Sequence, residues 1–198
     1  MQKLLILGAG RSASTLISYL VSSTKDHGWF LTVADSDEKI IQHRKSSYPT
    51  IETAILDIFD HDKRKALISK HDLVISMLPS NMHELPAMDC LELKKHFLNA
   101  SYVSKSLQDI YTEAQKNDLI HMGELGLDPG LDHISAMHMF DSIQKKKGEV
   151  LSFRSFAGGL VAEESDTNKW GYKFSWNPRN VILAGKGTAQ FKANGRSY

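Results

Sequence analysis

The sequence predicts an α/β fold in which a doubly wound parallel sheet is followed by the start of a second α/β domain. Three observations predict it. Short apolar runs alternate with helical patterns through the first 121 residues, the first run opens into a glycine-rich turn, and the alternation stops after Gly123. Parallel strands joined by helical crossovers give such a sheet, because helices must cover both of its apolar faces. The predicted domains are residues 1–123 and 124–198, the second incomplete.

The first unit is a strand, a tight turn and a helix. Residues 4–7 are an apolar run, and residues 11–21 have helical periodicity. Between them, Gly8 allows a sharp turn, Gly10 lets the backbone approach a pyrophosphate, and small Ala13 lets helix and strand pack closely. The N–H groups and dipole of the helix start then favour phosphates. An ordinary strand-to-helix turn is the alternative, but the setting favours a Rossmann dinucleotide site. Its predicted cofactor-binding residues are Gly8, Gly10, Arg11, Ser12 and Ala13.

The other elements follow from the same two patterns. Apolar runs predict strands at residues 30–34, 51–58, 72–76, 96–100 and 119–122. Helical patterns predict helices at residues 37–46, 60–70, 82–93, 104–117 and 134–146, with Asp60 as an N-cap. Beyond them the chain reads as loops and strands, the strands at residues 150–157, 172–176 and 181–184.

Composition limits the classes of function. The chain has 198 residues, 41% of them hydrophobic, and a formal net charge of +1, which gives no indication of a nucleic-acid partner. Its one cysteine, Cys90, excludes a disulfide framework within the chain and fits a cytoplasmic protein. Without an 18-residue apolar run or a leader before the first strand, we expect neither a membrane partner nor a signal peptide. The histidines show no metal-ligand spacing, and Cys90, in a predicted helix without an adjacent base, is expected to be buried and inert.

Polar residues end several of the predicted strands. Asp35 ends the second, where a carboxylate binds both adenosine ribose hydroxyls and repels a 2′-phosphate, so NAD is predicted over NADP, with NADP left open. A helix N-cap is the alternative for Asp35. Asp57 ends the third strand and suits the adenine edge, although a solvated loop carboxylate fits equally. The backbone of residues 76–79 is expected to run along the cofactor.

The fifth strand ends in a run of hydroxyl-bearing residues. Ser101 and Tyr102 lie at the same carboxyl edge and are candidates to bind nicotinamide, ribose or substrate. The alternative is a local one, in which Ser104 is a helix N-cap and Tyr102 a packing aromatic.

Four segments together resemble one known family. They are residues 101–104 (SYVS), 124–133 (ELGLDPGLDH), 158–160 (GGL) and 171–176 (GYKFSW). In this order, and over nearly the whole chain, they resemble the glutamate-forming saccharopine dehydrogenases, or saccharopine reductases. The resemblance implies a Rossmann domain with an inserted α/β substrate domain, a homodimer, and chains about twice this long. It also implies a small-molecule substrate, saccharopine, split into glutamate and 2-aminoadipate 6-semialdehyde in lysine metabolism.

The resemblance assigns further roles. It implies that cofactor is lined by Ser12, Asp35, Asp57, Leu78, Ser101, Leu127 and Pro129. It implies that Tyr102, Val103 and Asp128 contact saccharopine. Three departures from the family pattern matter: Ala157 stands where many relatives have a cysteine, residues 160–164 stand where relatives often have a proline-rich stretch, and the family's carboxylate-binding arginine is expected downstream of Tyr198.

The expected reaction oxidises a secondary amine to an imine that water hydrolyses. Asp128 is the candidate to contact the substrate amine and relay its proton, and Tyr102 is the second candidate catalytic residue. A structural aspartate before a proline is the alternative for Asp128. Lys173 and Arg179 are candidates to pair with substrate carboxylates, or are surface charges. Two other functions stay open: a related secondary-amine dehydrogenase of the carboxynorspermidine type, and an NAD-binding module without catalysis.

Overall fold

The computed structural model describes residues 2–159, 161–174, 181–182 and 190–198. The chain forms two compact units, Met1–Phe153 and Arg154–Tyr198. The division into residues 1–123 and 124–198 stays a prediction.

The first unit contains a parallel sheet flanked by helices. Its strands are β1 (Lys3–Leu7), β2 (Phe30–Asp35), β3 (Glu52–Ile55), β4 (Leu73–Ser76), β5 (His96–Asn99) and β6 (His121–Met122). Its α-helices are α1 (Ser14–His27), α2 (Glu38–Ser47), α3 (His61–Ile68), α4 (Glu84–Glu92), α5 (Lys105–Lys116) and α6 (Leu131–Lys145). The strand order is β3-β2-β1-β4-β5-β6, with every neighbouring pair parallel. The predicted doubly wound α/β sheet is therefore confirmed, and its order reverses between β1 and β4.

Each face of the sheet carries its own apolar core. Leu5 and Leu7 point to the face that holds Phe97, whereas Leu4 and Ile6 point to the face that holds Ile17. This alternation within one apolar strand is what a sheet buried on both faces requires. Continuous apolar runs, rather than alternating ones, were therefore the correct signal for the strands.

The ends of some elements differ from their predicted positions. A 3-10 turn, Arg11–Ala13, precedes α1, which extends to His27 rather than ending at residue 21. The helix continues through Ser22, Ser23 and Thr24, whose hydroxyls bond back to carbonyls of the preceding turn. Those polar residues hide the helical period in the sequence. Strand β3, in contrast, is shorter than the predicted strand at residues 51–58.

The predicted strand at residues 150–157 is wrong. The described residues there adopt no regular structure, and Leu151 and Phe156 are 87% and 90% exposed. An apolar run forms a strand only when a second strand completes its hydrogen bonds. Residues 172–174 are also irregular, while residues 181–182 are helical rather than extended. The rest of the strands predicted at 172–176 and 181–184 lies outside the described residues.

The second unit contains a hairpin that was not predicted. Strands β7 (Lys192–Ala193) and β8 (Arg196–Ser197) pair antiparallel through Asn194 and Gly195. Both turn residues have positive φ, 50° and 76°, which is the geometry that Asn-Gly pairs favour in two-residue hairpins. Across the described parts of both units, helices are too short or too polar to cross a bilayer.

Candidate functional site

A cleft opens at the carboxyl edge of the sheet, between β1 and β4. Its volume is about 310 Å³, and it lies where the strand order reverses. Doubly wound sheets bind dinucleotides at this point. The structure brings five of the predicted cofactor residues together in its lining: Gly8, Gly10, Asp35, Asp57 and Leu78.

The two glycines of the turn serve different purposes. Gly8 has a φ of +95°, and an added Cβ would lie 2.8 Å from the carbonyl oxygen of Met77. Gly10 has ordinary backbone angles, and an added Cβ would meet nothing within 4 Å. Gly8 is therefore required by the fold, whereas Gly10 leaves open space above the backbone.

The helix start beside the glycines is open to a ligand. Arg11 and Ser12 are exposed, and Ala13 is buried against β1, as the close-packing argument predicted. Within the described residues, no side chain caps this turn. Its first N–H groups have no intrahelical acceptor, so they are available to an anion.

The carboxylate of Asp35 holds the glycine turn. One oxygen accepts the N–H of Ala9 at 2.7 Å, and the other accepts the N–H of Asp37 at 2.9 Å. The N-cap of α2 is Asp37, which accepts from Lys39 and Ile40, so the alternative role proposed for Asp35 falls to its neighbour. Asp35 thus lines the cleft with part of its accepting capacity already used.

Sequence reasoning missed Arg44. Its guanidinium, on α2, donates to the carbonyl oxygens of Ala9 and Gly10 and to the hydroxyl of Ser14, at 2.9, 3.2 and 2.7 Å from Nη2. Asp35 thus holds a backbone N–H of the turn, and Arg44 holds its carbonyl oxygens. No spacing rule could have found a helical arginine that contacts residues 30 to 35 positions earlier.

A buried ion pair supports the loop that carries Asp57. Arg64 on α3 contacts Asp89 on α4 at 2.6 Å, with both residues 4% exposed. The same guanidinium donates to the carbonyl oxygen of Ile58, which lines the cleft. Asp57 itself is exposed and accepts the N–H of Phe59. The predicted N-cap of α3, Asp60, is confirmed by its contact with Lys63.

Ser101 lies in a chain of neutral hydrogen bonds. His83 Nδ1 lies 2.8 Å from the Ser76 hydroxyl, and Nε2 lies 2.8 Å from the Ser101 hydroxyl. The Ser101 N–H donates to the Asn99 side chain, whose amide donates to the Tyr111 hydroxyl. Burial without a charged partner lowers the pKa of His83 to about 4. His83 is therefore neutral, and sequence reasoning missed it because a lone histidine has no pattern.

Two of the predicted substrate residues are in direct contact. The Tyr102 hydroxyl donates to the Asp128 carboxylate at 2.7 Å. This hydrogen bond is the main cause that raises the pKa of Tyr102 to about 12. The phenol thus stays protonated at neutral pH, and the carboxylate is the proton acceptor of the pair. Val103 lies next to them, with its N–H donating to Glu124.

The loop that carries Asp128 closes on itself. Gly126 donates to the Pro129 carbonyl and accepts from Leu131, which begins α6. Pro129 is buried, whereas Leu127 is 74% exposed. The two predicted cofactor residues of this loop therefore differ in accessibility, and their roles stay predictions.

The remaining predicted residues belong to the second compact unit, lie outside the described residues or have no part in the site. Lys173 is exposed in the second compact unit, and Arg179 lies outside the described residues. Cys90 is buried as predicted, and burial raises the pKa of its thiol. The described residues contain no cluster of three potential metal-binding side chains.

Family comparisons agree with the motifs. Residues 4–127 match the model of the saccharopine dehydrogenase NADP binding domain, and residues 126–198 match that of the saccharopine dehydrogenase C-terminal domain. An alpha-aminoadipic semialdehyde synthase from Arabidopsis thaliana is 38% identical over 96% of this chain and 20% of its own length. A saccharopine dehydrogenase [NADP(+), L-glutamate-forming] from Schizosaccharomyces pombe is 34% identical over 99% of this chain and 43% of its own.

A solved structure extends the likeness to the whole fold. Apo saccharopine dehydrogenase (L-Glu forming) from Saccharomyces cerevisiae has a TM-score of 0.87 and 30% identity, covering 100% of this chain and 44% of that one. The chain thus spans less than half the length of these relatives. Residues 4–127 are a domain of the kind that binds a nicotinamide dinucleotide. The resemblance found in the sequence is confirmed, and the chain belongs to the saccharopine dehydrogenase family.

Proposed function

We propose that this chain is the dinucleotide-binding part of an oxidoreductase of lysine metabolism. The reaction interconverts saccharopine with glutamate and 2-aminoadipate 6-semialdehyde. The observation that carries the proposal is the Tyr102–Asp128 pair, at the same sheet edge as the cleft and within the two matched domains. The relatives' names favour neither the carboxynorspermidine reaction nor a module without catalysis.

The residues assign the parts of the reaction. The turn at Gly8 and Gly10 would hold the diphosphate, and Ser101 would face the nicotinamide half. The bound nicotinamide supplies the hydride acceptor. Asp128 would bind the substrate ammonium and take up its proton, while Tyr102 holds the carboxylate in place by donating to it.

Asp128 provides the test of the chemistry. Asp128→Asn keeps the side chain's shape but removes its charge and basicity, so turnover of saccharopine should fall by about 10²–10⁴-fold. Dinucleotide affinity should change less than about threefold, because the glycine turn is untouched. Steady-state rates and fluorescence titration of the protein measure both. Tyr102→Phe is the matched control, with a smaller loss. Near-normal turnover in Asp128→Asn would remove Asp128 from the mechanism.

We further propose NADP as the preferred dinucleotide, in place of the NAD predicted from Asp35. Both oxygens of that carboxylate already accept backbone N–H groups, and Arg11 beside the turn is an exposed cation that suits a 2′-phosphate. The names of the fungal relatives, which specify NADP(+), support this choice.

Affinities for NADPH and NADH decide between them. We expect NADPH to bind at least about tenfold more tightly, and Arg11→Gln to remove most of that difference, since one charge-assisted phosphate contact contributes about 1.5–3 kcal/mol. Tighter NADH binding would restore the NAD prediction. The homodimer and the cytoplasmic location remain predictions; a relative from Bos taurus is named as mitochondrial.

A further inference from the structure

The chain of contacts from Ser76 through His83 to Ser101 has a defined direction. Ser76 and His83 are almost completely buried, at 0% and 1% exposure, whereas Ser101 is half-buried. Both ring nitrogens of His83 lie 2.8 Å from a hydroxyl oxygen. The histidine therefore joins the interior of the sheet to a half-buried serine that follows β5 at the carboxyl edge.

Hydrogen-bond satisfaction sets that direction. Among the described residues, the Ser76 hydroxyl has His83 Nδ1 as its one partner. A buried hydroxyl has a single proton to donate, and leaving it without an acceptor costs free energy, so Ser76 donates to Nδ1. A neutral imidazole with Nδ1 as acceptor carries its proton on Nε2. His83 Nε2 consequently donates to the Ser101 oxygen.

The result is that Ser101 keeps its own proton free. Its backbone is held from both sides, because its N–H donates to Asn99 at 2.8 Å and its carbonyl accepts from Glu124 at 3.0 Å. Its hydroxyl oxygen receives the His83 proton. The one remaining polar group of Ser101 is an O–H donor at the accessible side.

We propose that Ser76 and His83 form a positioning relay that makes Ser101 an obligate hydrogen-bond donor to an oxygen of the bound dinucleotide. The glycine turn and Asp35 occupy the β1–β2 half of the edge, where the adenosine belongs, so Ser101 on the β4–β5 half meets the nicotinamide half. The acceptor is an uncharged oxygen, either of the nicotinamide carboxamide or of the ribose attached to the nicotinamide. The proposal rests on the proposed function, since it needs a dinucleotide in the cleft.

A double-mutant cycle on affinity tests the relay. The Kd for NADPH is measured by fluorescence in the protein, in Ser76→Ala, in Ser101→Ala and in the double variant. We expect Ser101→Ala to weaken binding about tenfold and Ser76→Ala about threefold. In the Ser101→Ala background, Ser76→Ala should have no further effect, because the donor it orients is gone. Equal losses in both backgrounds, or no loss from Ser76→Ala, would overturn the relay.

Further variants separate the relay from folding and identify the acceptor. His83→Gln supplies an amide donor near Ser101 and should retain most of the affinity that His83→Leu loses, at comparable melting temperatures. Equal losses would reject the positioning role. With 2′-phospho-ADP-ribose, which lacks the nicotinamide, loss of the Ser101→Ala effect assigns the carboxamide, and persistence assigns the ribose. A wild-type protein that binds neither NADPH nor NADH would overturn both proposals, whereas binding with additive variants overturns the relay alone.

Discussion

The β1–β2 and β4–β5 halves of the carboxyl edge are held together by different interactions. Around the glycine turn, charged side chains hold the backbone. The Asp35 carboxylate accepts from N–H groups, and the Arg44 guanidinium donates to carbonyl oxygens. Across the edge, neutral groups bind each other, with His83 between two hydroxyls. We call the first set the charged half and the second set the neutral half, and our proposals predict that the charged half anchors the dinucleotide and the neutral half orients it.

Breaking the buried ion pair should have the largest effect, and it tests whether charge also supports the cleft wall beside the charged half. Arg64→Met leaves Asp89 buried and unpaired and frees the Ile58 carbonyl at the cleft wall. The free energy of unfolding should fall by about 3–5 kcal/mol in urea denaturation. The double variant Arg64→Met/Asp89→Leu should recover most of the loss. A loss under about 1 kcal/mol in the single variant would show that this charge is not needed.

The glycine turn should give the next largest effect. Gly8→Ala places a Cβ against the Met77 carbonyl at a φ of +95°, so we expect a loss of about 2–4 kcal/mol in stability. Gly10→Ala is the matched control: it should leave the melting temperature unchanged and weaken dinucleotide binding. If both variants lowered stability alike, the separate roles of the two glycines would be wrong.

The neutral half should be recognisable by its pH dependence. Because burial lowers the folded-state pKa of His83 from 6.5 to about 4, the unfolded chain binds more protons between these values. The contribution of His83 is thus fully present above pH 6.5 and is lost as pH falls towards 4, by up to about 3 kcal/mol. His71 and His121 shift in the same direction.

Only the difference in stability between the wild type and a variant without this histidine isolates that contribution. Stability curves from pH 4 to 7 for the wild type and His83→Gln should converge as the pH falls, since glutamine does not titrate. Parallel curves would mean that the pKa of His83 is the same in the folded and the unfolded protein, which would contradict the lowered value.

The sheet and the glycine turn could be predicted because their causes are local. A strand buried on both faces has a continuous apolar run, as residues 4–7 of β1 do, and a positive φ against a neighbouring carbonyl requires Gly8. The strand predicted at residues 150–157 failed because, among the described residues, its apolar run has no pairing strand. The hairpin could have been predicted, because the Asn194–Gly195 pair is typical of a two-residue hairpin turn.

The rest of the site could not be predicted because its causes are distant in sequence. His83 acquires its role from Ser101, 18 positions later, and Arg44 from Ala9, 35 positions earlier. Neither residue stands out by type or spacing. Only the packing of helices over the sheet edge brings these groups together. Asp128 was predicted through the resemblance to a family, since its sequence context alone indicates only a turn former.

The double use of Asp35 limits how this protein could be redesigned. A substitution there, intended to alter the choice between two coenzymes, would also release the Ala9 N–H and loosen the loop that both coenzymes need. Coenzyme selectivity and overall coenzyme affinity would therefore change together and be hard to separate. Ser36, which lines the same crevice beside it, offers a position where discrimination can be adjusted while the anchor stays intact.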